Sequence, residues 1–98
     1  MVKDLRVEVL EIIGKCPVYN VGDVFFIVEG FKLLTSKTIC MHSLASLMPY
    51  YVALARGLEP KGLGLAKDGK RAYVQCLDPC SYTGGGTVIF AVSTEEKV

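Results

Sequence analysis

The chain has 98 residues, a formal net charge of +1 and a hydrophobic fraction of 51%. This length predicts a single domain over residues 1–98, and the near-neutral charge provides no field to hold nucleic acid or an anionic membrane. Residues 1–6 mix charged and apolar side chains and are unlike a signal peptide, so we expect a cytoplasmic protein. The uncharged stretch 39–55 is short for a membrane span and contains His42 and Pro49, which favours a buried helix.

The first 34 residues contain three segments with the side-chain patterns of β-strands. Residues 4–13 alternate apolar and charged side chains, which predicts a half-buried strand. Residues 24–28 are apolar on both faces and predict a central strand. A glycine then allows a tight return into a short third strand at 31–34.

The middle of the chain predicts one helix. Residues 40–56 follow the three-and-four spacing of a helical face, and the hydroxyl side chains of 35–38 offer N-caps. Pro49 removes one backbone hydrogen bond, so it should kink this helix or begin a second one. The segment carries almost no charge, and a small sheet can cover only one of its faces. We therefore expect a homo-oligomer in which another subunit covers part of the helix.

The C-terminal part returns to β patterns. Asp68-Gly69 suits a two-residue hairpin turn that leads into a strand at 70–76. Residues 87–92 predict the last strand, and 95–98 a frayed tail. Strands, then one helix, then strands indicate an α+β fold, with a mainly antiparallel sheet of about five to six strands packed against one central, Pro-kinked helix.

The glycine run 84–86 has two interpretations. Glycines allow a backbone to approach a phosphate, but a phosphate loop normally leads into a helix and this run leads into a strand. A turn or bulge that needs positive φ is therefore the favoured interpretation. The nearby Asp78 is expected to cap its own turn.

The side chains with the richest chemistry are four cysteines and one histidine: Cys16, Cys40, Cys76, Cys80 and His42. In a reducing compartment, thiols serve as metal ligands, as reactive groups or as core filler. The metal hypothesis takes Cys16, Cys40, Cys76 and His42 as ligands, with Cys80 and Asp78 as weaker candidates. Thiolate with imidazole suits zinc, and an all-thiolate set suits zinc or an iron–sulfur cluster. Only Cys76 and Cys80 are closely spaced, so the pattern is only weakly typical of a metal site.

Two other hypotheses use the same residues. Cys40, at the predicted helix start, lies where free N–H groups stabilise a thiolate, and it is the candidate nucleophile of a small enzyme. His42 can pair with it only if Cys40 precedes the helix, because helical residues two apart point to different sides. Alternatively, the cysteines are packing groups in a structural, self-associating module.

Several segments form a specific combination: Cys-Pro to Gly-Asp at 16–23, Cys-x-His at 40–42 with 47–51, Cys-x-Asp-Pro within 72–79, and Thr-Gly-Gly-Gly-Thr-Val within 82–90. In these segments, which cover most of its length, the chain resembles a family of small single-domain prokaryotic proteins of uncharacterised function. The resemblance implies one soluble domain and a shared site around Cys16, Cys40 and Cys76, and it implies no reaction. The chain differs at Cys80, where the family pattern has glycine, and it is shortened between Cys80 and Tyr82. The sequence as a whole predicts a cysteine-centred metal-binding (zinc or iron) or thiol-redox accessory module.

Overall fold

Five strands and two short α-helices make up the fold of residues 2–95, the part of the chain that the computed structural model describes. The strands are β1 (Asp4–Gly14), β2 (Val24–Val28), β3 (Lys32–Leu34), β4 (Ala72–Gln75) and β5 (Gly86–Glu95). The helices are α1 (Met41–Leu47) and α2 (Tyr51–Ala55), and short 3₁₀ turns occupy Lys61–Leu63 and Cys80–Tyr82. Glu95 of the predicted tail is the last residue of β5, and residues 96–98 lie outside the described part. The predicted α+β class with an antiparallel sheet is confirmed.

All five strands form one sheet in the order β3-β2-β1-β5-β4, with every neighbouring pair antiparallel. β2 has a neighbouring strand on each side, as its apolar faces predict for a central strand, and the middle strand of the five is β1. Leu5, Val7 and Val9 are fully buried, as their alternation predicts. The register against β5 shifts between Val9 and Glu11, so Leu10 is the extra residue of a bulge.

Of the two alternatives predicted at Pro49, a kink or a second helix, the segment 40–56 shows the second, although α2 begins at Tyr51 rather than at Pro49. Residues 48–50 form a turn between α1 and α2, in which the Tyr50 N–H donates to the Leu47 carbonyl at 3.0 Å. Pro49 has no N–H to continue the α1 ladder, which explains the break. The predicted hydroxyl caps at 35–38 are also wrong, because the N-cap residue is Cys40 and the Thr35 hydroxyl bonds to Lys37.

Three aromatic rings form the centre of the core between the sheet and the helices. The Phe90 ring meets the Tyr19 ring edge-on at 5.5 Å between centroids, and the Phe25 ring at 6.4 Å. Leu47 and Leu54 from the two helices belong to the same buried cluster. Tyr19 lies in a loop, yet it is buried to the same degree as the strand residues.

The segment between α2 and β4 differs from the predicted hairpin. Asp68-Gly69 lies in a bend with no strand before it, because the preceding residues form a 3₁₀ turn. The Tyr73 N–H donates to the Leu65 carbonyl at 2.8 Å, so this segment covers the outer edge of β4. Neither α1 nor α2, nor any other helix within residues 2–95, is long and apolar enough to cross a membrane.

Candidate functional site: a cavity lined by three thiols

A cavity of about 200 Å³ lies at one end of the sheet, where β1, α1, β4 and β5 approach each other. Its wall includes Cys16, Cys40 and Cys76, together with His42 and Asp78. Each cysteine lies at an element boundary: after β1, before α1 and after β4. The fold therefore brings three thiols that are distant in sequence to one small space.

Cys16 has a sulfur that accepts backbone hydrogen bonds. Pro17 fixes its own φ and turns the chain, so that the Val18 N–H lies 3.5 Å and the Tyr19 N–H 3.4 Å from the Cys16 sulfur. Two backbone donors therefore converge on one sulfur, and hydrogen bonds of this kind are stronger to an ionised acceptor than to a neutral one. Cys16 is only partly buried, so a small reactant can approach it.

Cys40 is fixed by a closed ring of three hydrogen bonds. Its N–H donates to the Tyr19 hydroxyl at 3.0 Å, and the Ser43 hydroxyl donates to the Cys40 carbonyl at 2.7 Å. Since the Ser43 proton is used in this way, the Tyr19 hydroxyl donates to the Ser43 oxygen, at 2.6 Å. Burial raises the pKa of Tyr19, and negative charge on Cys40 or Cys16 would raise it further, so the phenol stays protonated as the ring requires.

Cys76 is the buried thiol of the three. Its sulfur donates to the Gly86 carbonyl at 3.6 Å and accepts from the Val88 N–H at 3.4 Å. Donor and acceptor are both used, which is the arrangement of a protonated thiol in a core. Cys76 therefore forms the floor of the cavity.

Asp78 organises the loop between β4 and β5. Its carboxylate accepts hydrogen bonds from the Cys80 N–H at 2.9 Å and from the Thr83 hydroxyl. The Thr83 hydroxyl, then the Cys80 N–H, hold the pKa of Asp78 below its ordinary value, and nearby His42 contributes in the same direction. The carboxylate therefore caps its own turn and stands beside the thiols.

The glycine run is required by close packing around that loop. Gly84 has a φ of +76°, and a Cβ on Gly86 would lie 2.7 Å from the Lys15 carbonyl carbon. A Cβ on Gly85 would collide with the Asp78 carboxylate. The favoured interpretation, a turn that needs glycine, therefore accounts for these residues.

Replacing Asp78 with asparagine should loosen the loop and destabilise the protein. The carboxylate accepts two hydrogen bonds in the folded state, and a neutral amide accepts them less strongly. Because the pKa is lowered on folding, this stabilisation is present above about pH 4 and is lost as the pH falls through the lower, folded-state pKa. Thermal unfolding of both proteins at pH 7 and at pH 3 checks this: the difference between them should be smaller at pH 3. An equal difference at both values would show that the charge is not involved.

Cys80 lies outside the cavity wall. Its thiol donates to the Ile13 carbonyl at 3.4 Å, and its φ of +52° lies in the left-handed region that favours glycine. Cys80 therefore has a local role in the turn rather than a place among the converging thiols.

The metal hypothesis requires several possible ligands to lie close together. Residues 2–95 contain no group of three or more histidine, cysteine, aspartate or glutamate side chains that could hold a metal ion. A structural zinc ion or an iron–sulfur cluster needs three or four such ligands around one point. The side chains as placed do not fit either centre, and zinc and iron stay predictions from the sequence alone.

Two residues of the site were not predicted from the sequence, Tyr19 and Ser43. Tyr19 follows Cys16 by three residues, and only its position beside a cysteine-proline turn could have indicated it.

The architecture defines a small α+β domain with a thiol-lined cavity at one end of the sheet. No protein family, curated protein or solved structure was found that matches the chain.

Proposed function

We propose that this chain is a small thiol-redox module that exchanges disulfides with low-molecular-mass disulfides, with Cys16 as the attacking thiol. The observation that supports this most directly is the pair of backbone N–H groups directed at the Cys16 sulfur. Such donors stabilise the thiolate, which is the nucleophilic form of cysteine. A second thiol, Cys40, lines the same cavity and provides the group needed to complete an exchange.

The reaction has two steps. The Cys16 thiolate attacks one sulfur of the small disulfide, a mixed disulfide forms on Cys16, and the other half leaves as a thiolate. The Cys40 thiol then loses its proton and attacks the Cys16 sulfur, which releases the second half. Two protein thiols are oxidised to one disulfide, and the small disulfide is reduced to two thiols.

The remaining residues of the cavity support these steps. His42 lies on the cavity wall with Cys40, and Cys40 precedes α1, so the restriction on helical residues two apart does not apply. His42 is therefore the group that accepts the Cys40 proton. Cys76 keeps its proton in the bond to Gly86 and stays out of the exchange. A reducing compartment such as the cytoplasm suits four free thiols.

A matched pair of variants tests the assignment of Cys16. One carries Cys40→Ser with Cys80→Ser, and the other carries Cys16→Ser with Cys80→Ser, so that Cys76 is common to both. The first should form a mixed disulfide with bis(2-hydroxyethyl) disulfide at least about tenfold faster than the second, because only the first retains the partly buried sulfur that accepts from two N–H groups. The rates are measured by intact mass after acid quenching.

Circular dichroism of both variants shows whether each is folded, which separates a chemical effect from a structural one. Equal rates in two folded variants would overturn the role of Cys16. Metal analysis of protein purified without oxygen provides the second check. Stoichiometric zinc or iron would contradict a thiol-redox function and favour the metal hypothesis.

A further inference from the structure

The two edge strands of the sheet, β4 and β3, differ in whether another segment of the described chain covers them. At the β4 edge, the Tyr73 N–H is bonded to the Leu65 carbonyl, and the connecting segment covers the strand. At the other edge, Lys32, Leu33 and Leu34 make no backbone hydrogen bond within the described chain except those to β2. An antiparallel strand directs alternate N–H and C=O groups outward, so β3 presents unpaired groups to a further strand.

The helix side of this open edge is apolar. Phe31 is 69% exposed and Met48 is 61% exposed on this side, whereas Leu34 follows Leu33 and lies on the opposite face with Lys32. A groove of about 240 Å³ runs between the edge and the helices, and its wall has no charged residue. It includes Leu33 from β3 and Tyr51 from α2. A contiguous apolar surface of this kind is typical of an interface.

We propose that a second copy of this chain occupies this surface, with the two β3 strands paired antiparallel about a two-fold axis at Leu33. In this arrangement, Lys32 lies opposite Leu34 of the second copy, and Leu33 lies opposite itself. Lys32 is already paired with Glu29 of its own chain at 3.0 Å, so no unbalanced charge enters the contact. Parallel pairing in register would place the two Lys32 side chains side by side, which like-charge repulsion disfavours.

The pairing joins two five-stranded sheets into one and covers the exposed side chains of the groove. An uncharged groove offers nothing that would select a charged peptide. A self-complementary edge, by contrast, suits an isologous contact, in which each residue meets the same patch on the other copy. This inference does not depend on the proposed thiol chemistry, since the edge and the cavity lie on different elements.

Sedimentation velocity over a range of protein concentrations tests the proposal. The unmodified protein should form a dimer, and Leu33→Lys should raise the dimer Kd at least about tenfold, because it removes two apolar contacts and brings two charges together at the axis. The matched control is Tyr82→Lys, which puts the same charge on a side chain that is 90% exposed and outside the groove. This control should leave the dimer Kd unchanged.

Leu34→Glu identifies the register. In the proposed pairing the new carboxylate faces Lys32 of the second copy, so the dimer should be retained or strengthened, and salt should weaken it. In an in-register parallel pairing, the new carboxylates of the two copies would lie opposite each other, and their repulsion would weaken the dimer. A protein that stays monomeric at high concentration would overturn the proposal, as would a folded Leu33→Lys variant with an unchanged Kd. A dimer that Leu34→Glu disrupts would overturn the antiparallel register.

Discussion

Replacing Phe90 with alanine should lower the free energy of unfolding by about 3–5 kcal/mol, which is a large part of the stability of a domain this small. Phe90 is fully buried on β5, and its ring packs edge-on against Tyr19 and against Phe25. Removing it leaves a cavity in the centre of the core and deprives the Tyr19 ring of its closest aromatic contact. The cysteine cavity should lose its order together with the core.

Chemical denaturation measures this effect directly. Tyr82→Ala is the matched control, since it also removes an aromatic ring but from a side chain that is 90% exposed. The control should change the free energy of unfolding by no more than about 0.5 kcal/mol. Similar losses in the two variants would contradict the central position of Phe90.

Tyr19→Phe should cost about 1–3 kcal/mol of stability although it removes a single oxygen. The Cys40 N–H loses its acceptor in a part-buried environment, and the Ser43 oxygen loses its donor in a buried one. The pKa of Tyr19 is raised by burial, so the contribution of the hydroxyl is present below about pH 10 and is lost as the pH rises through the higher, folded-state pKa. Amide exchange at Cys40 should accelerate in the variant.

Tyr73→Phe is the control for that substitution, because Tyr73 is 41% exposed and outside the hydrogen-bonded ring. It should leave both the stability and the exchange rate of the Cys40 amide nearly unchanged. If Tyr19→Phe behaved like this control, the hydrogen-bonded ring would not be what fixes Cys40.

The strands were the part of the fold most accessible to sequence reasoning. Alternation in 4–13 predicts β1 almost to its ends, and residues 24–28 coincide with β2. Their order in the sheet was less accessible, because apolar character on both faces of a strand does not reveal which strand has two long neighbours. The middle position of β1 follows from its pairing with both β2 and β5, which no local pattern records.

The helical segment shows how local patterns fail. Spacing alone predicts one helix, whereas the missing N–H of Pro49 ends α1 before α2 begins. Spacing places Ser43 on the weakly polar face, opposite the apolar one, and does not reveal what covers it, whereas Ser43 is fully buried in the fold. Its burial depends on Tyr19, a residue 24 positions away that supplies its hydrogen-bond partner. No periodicity encodes such a long-range contact.

For the candidate site, the sequence indicated which residues to consider but not how their atoms are arranged. The sequence indicates Cys16, Cys40 and Cys76 as candidate residues of one site, and these three cysteines line one cavity in the fold. No local pattern indicates that the sulfur of Cys16, rather than that of Cys40, accepts from two N–H groups, because this depends on the turn after Pro17. The family resemblance and the sequence-based choice between metal and thiol chemistry stay predictions.

Peptide mapping of the unmodified protein during oxidation tests the central claim most directly. The protein is treated with a limited amount of bis(2-hydroxyethyl) disulfide, quenched with acid at successive times, alkylated and digested for mass spectrometry. Cys16 should carry the first mixed disulfide, which should then give way to a Cys16–Cys40 disulfide while Cys76 stays reduced. A first adduct on Cys40 or Cys80, with Cys16 unmodified throughout, would contradict the account.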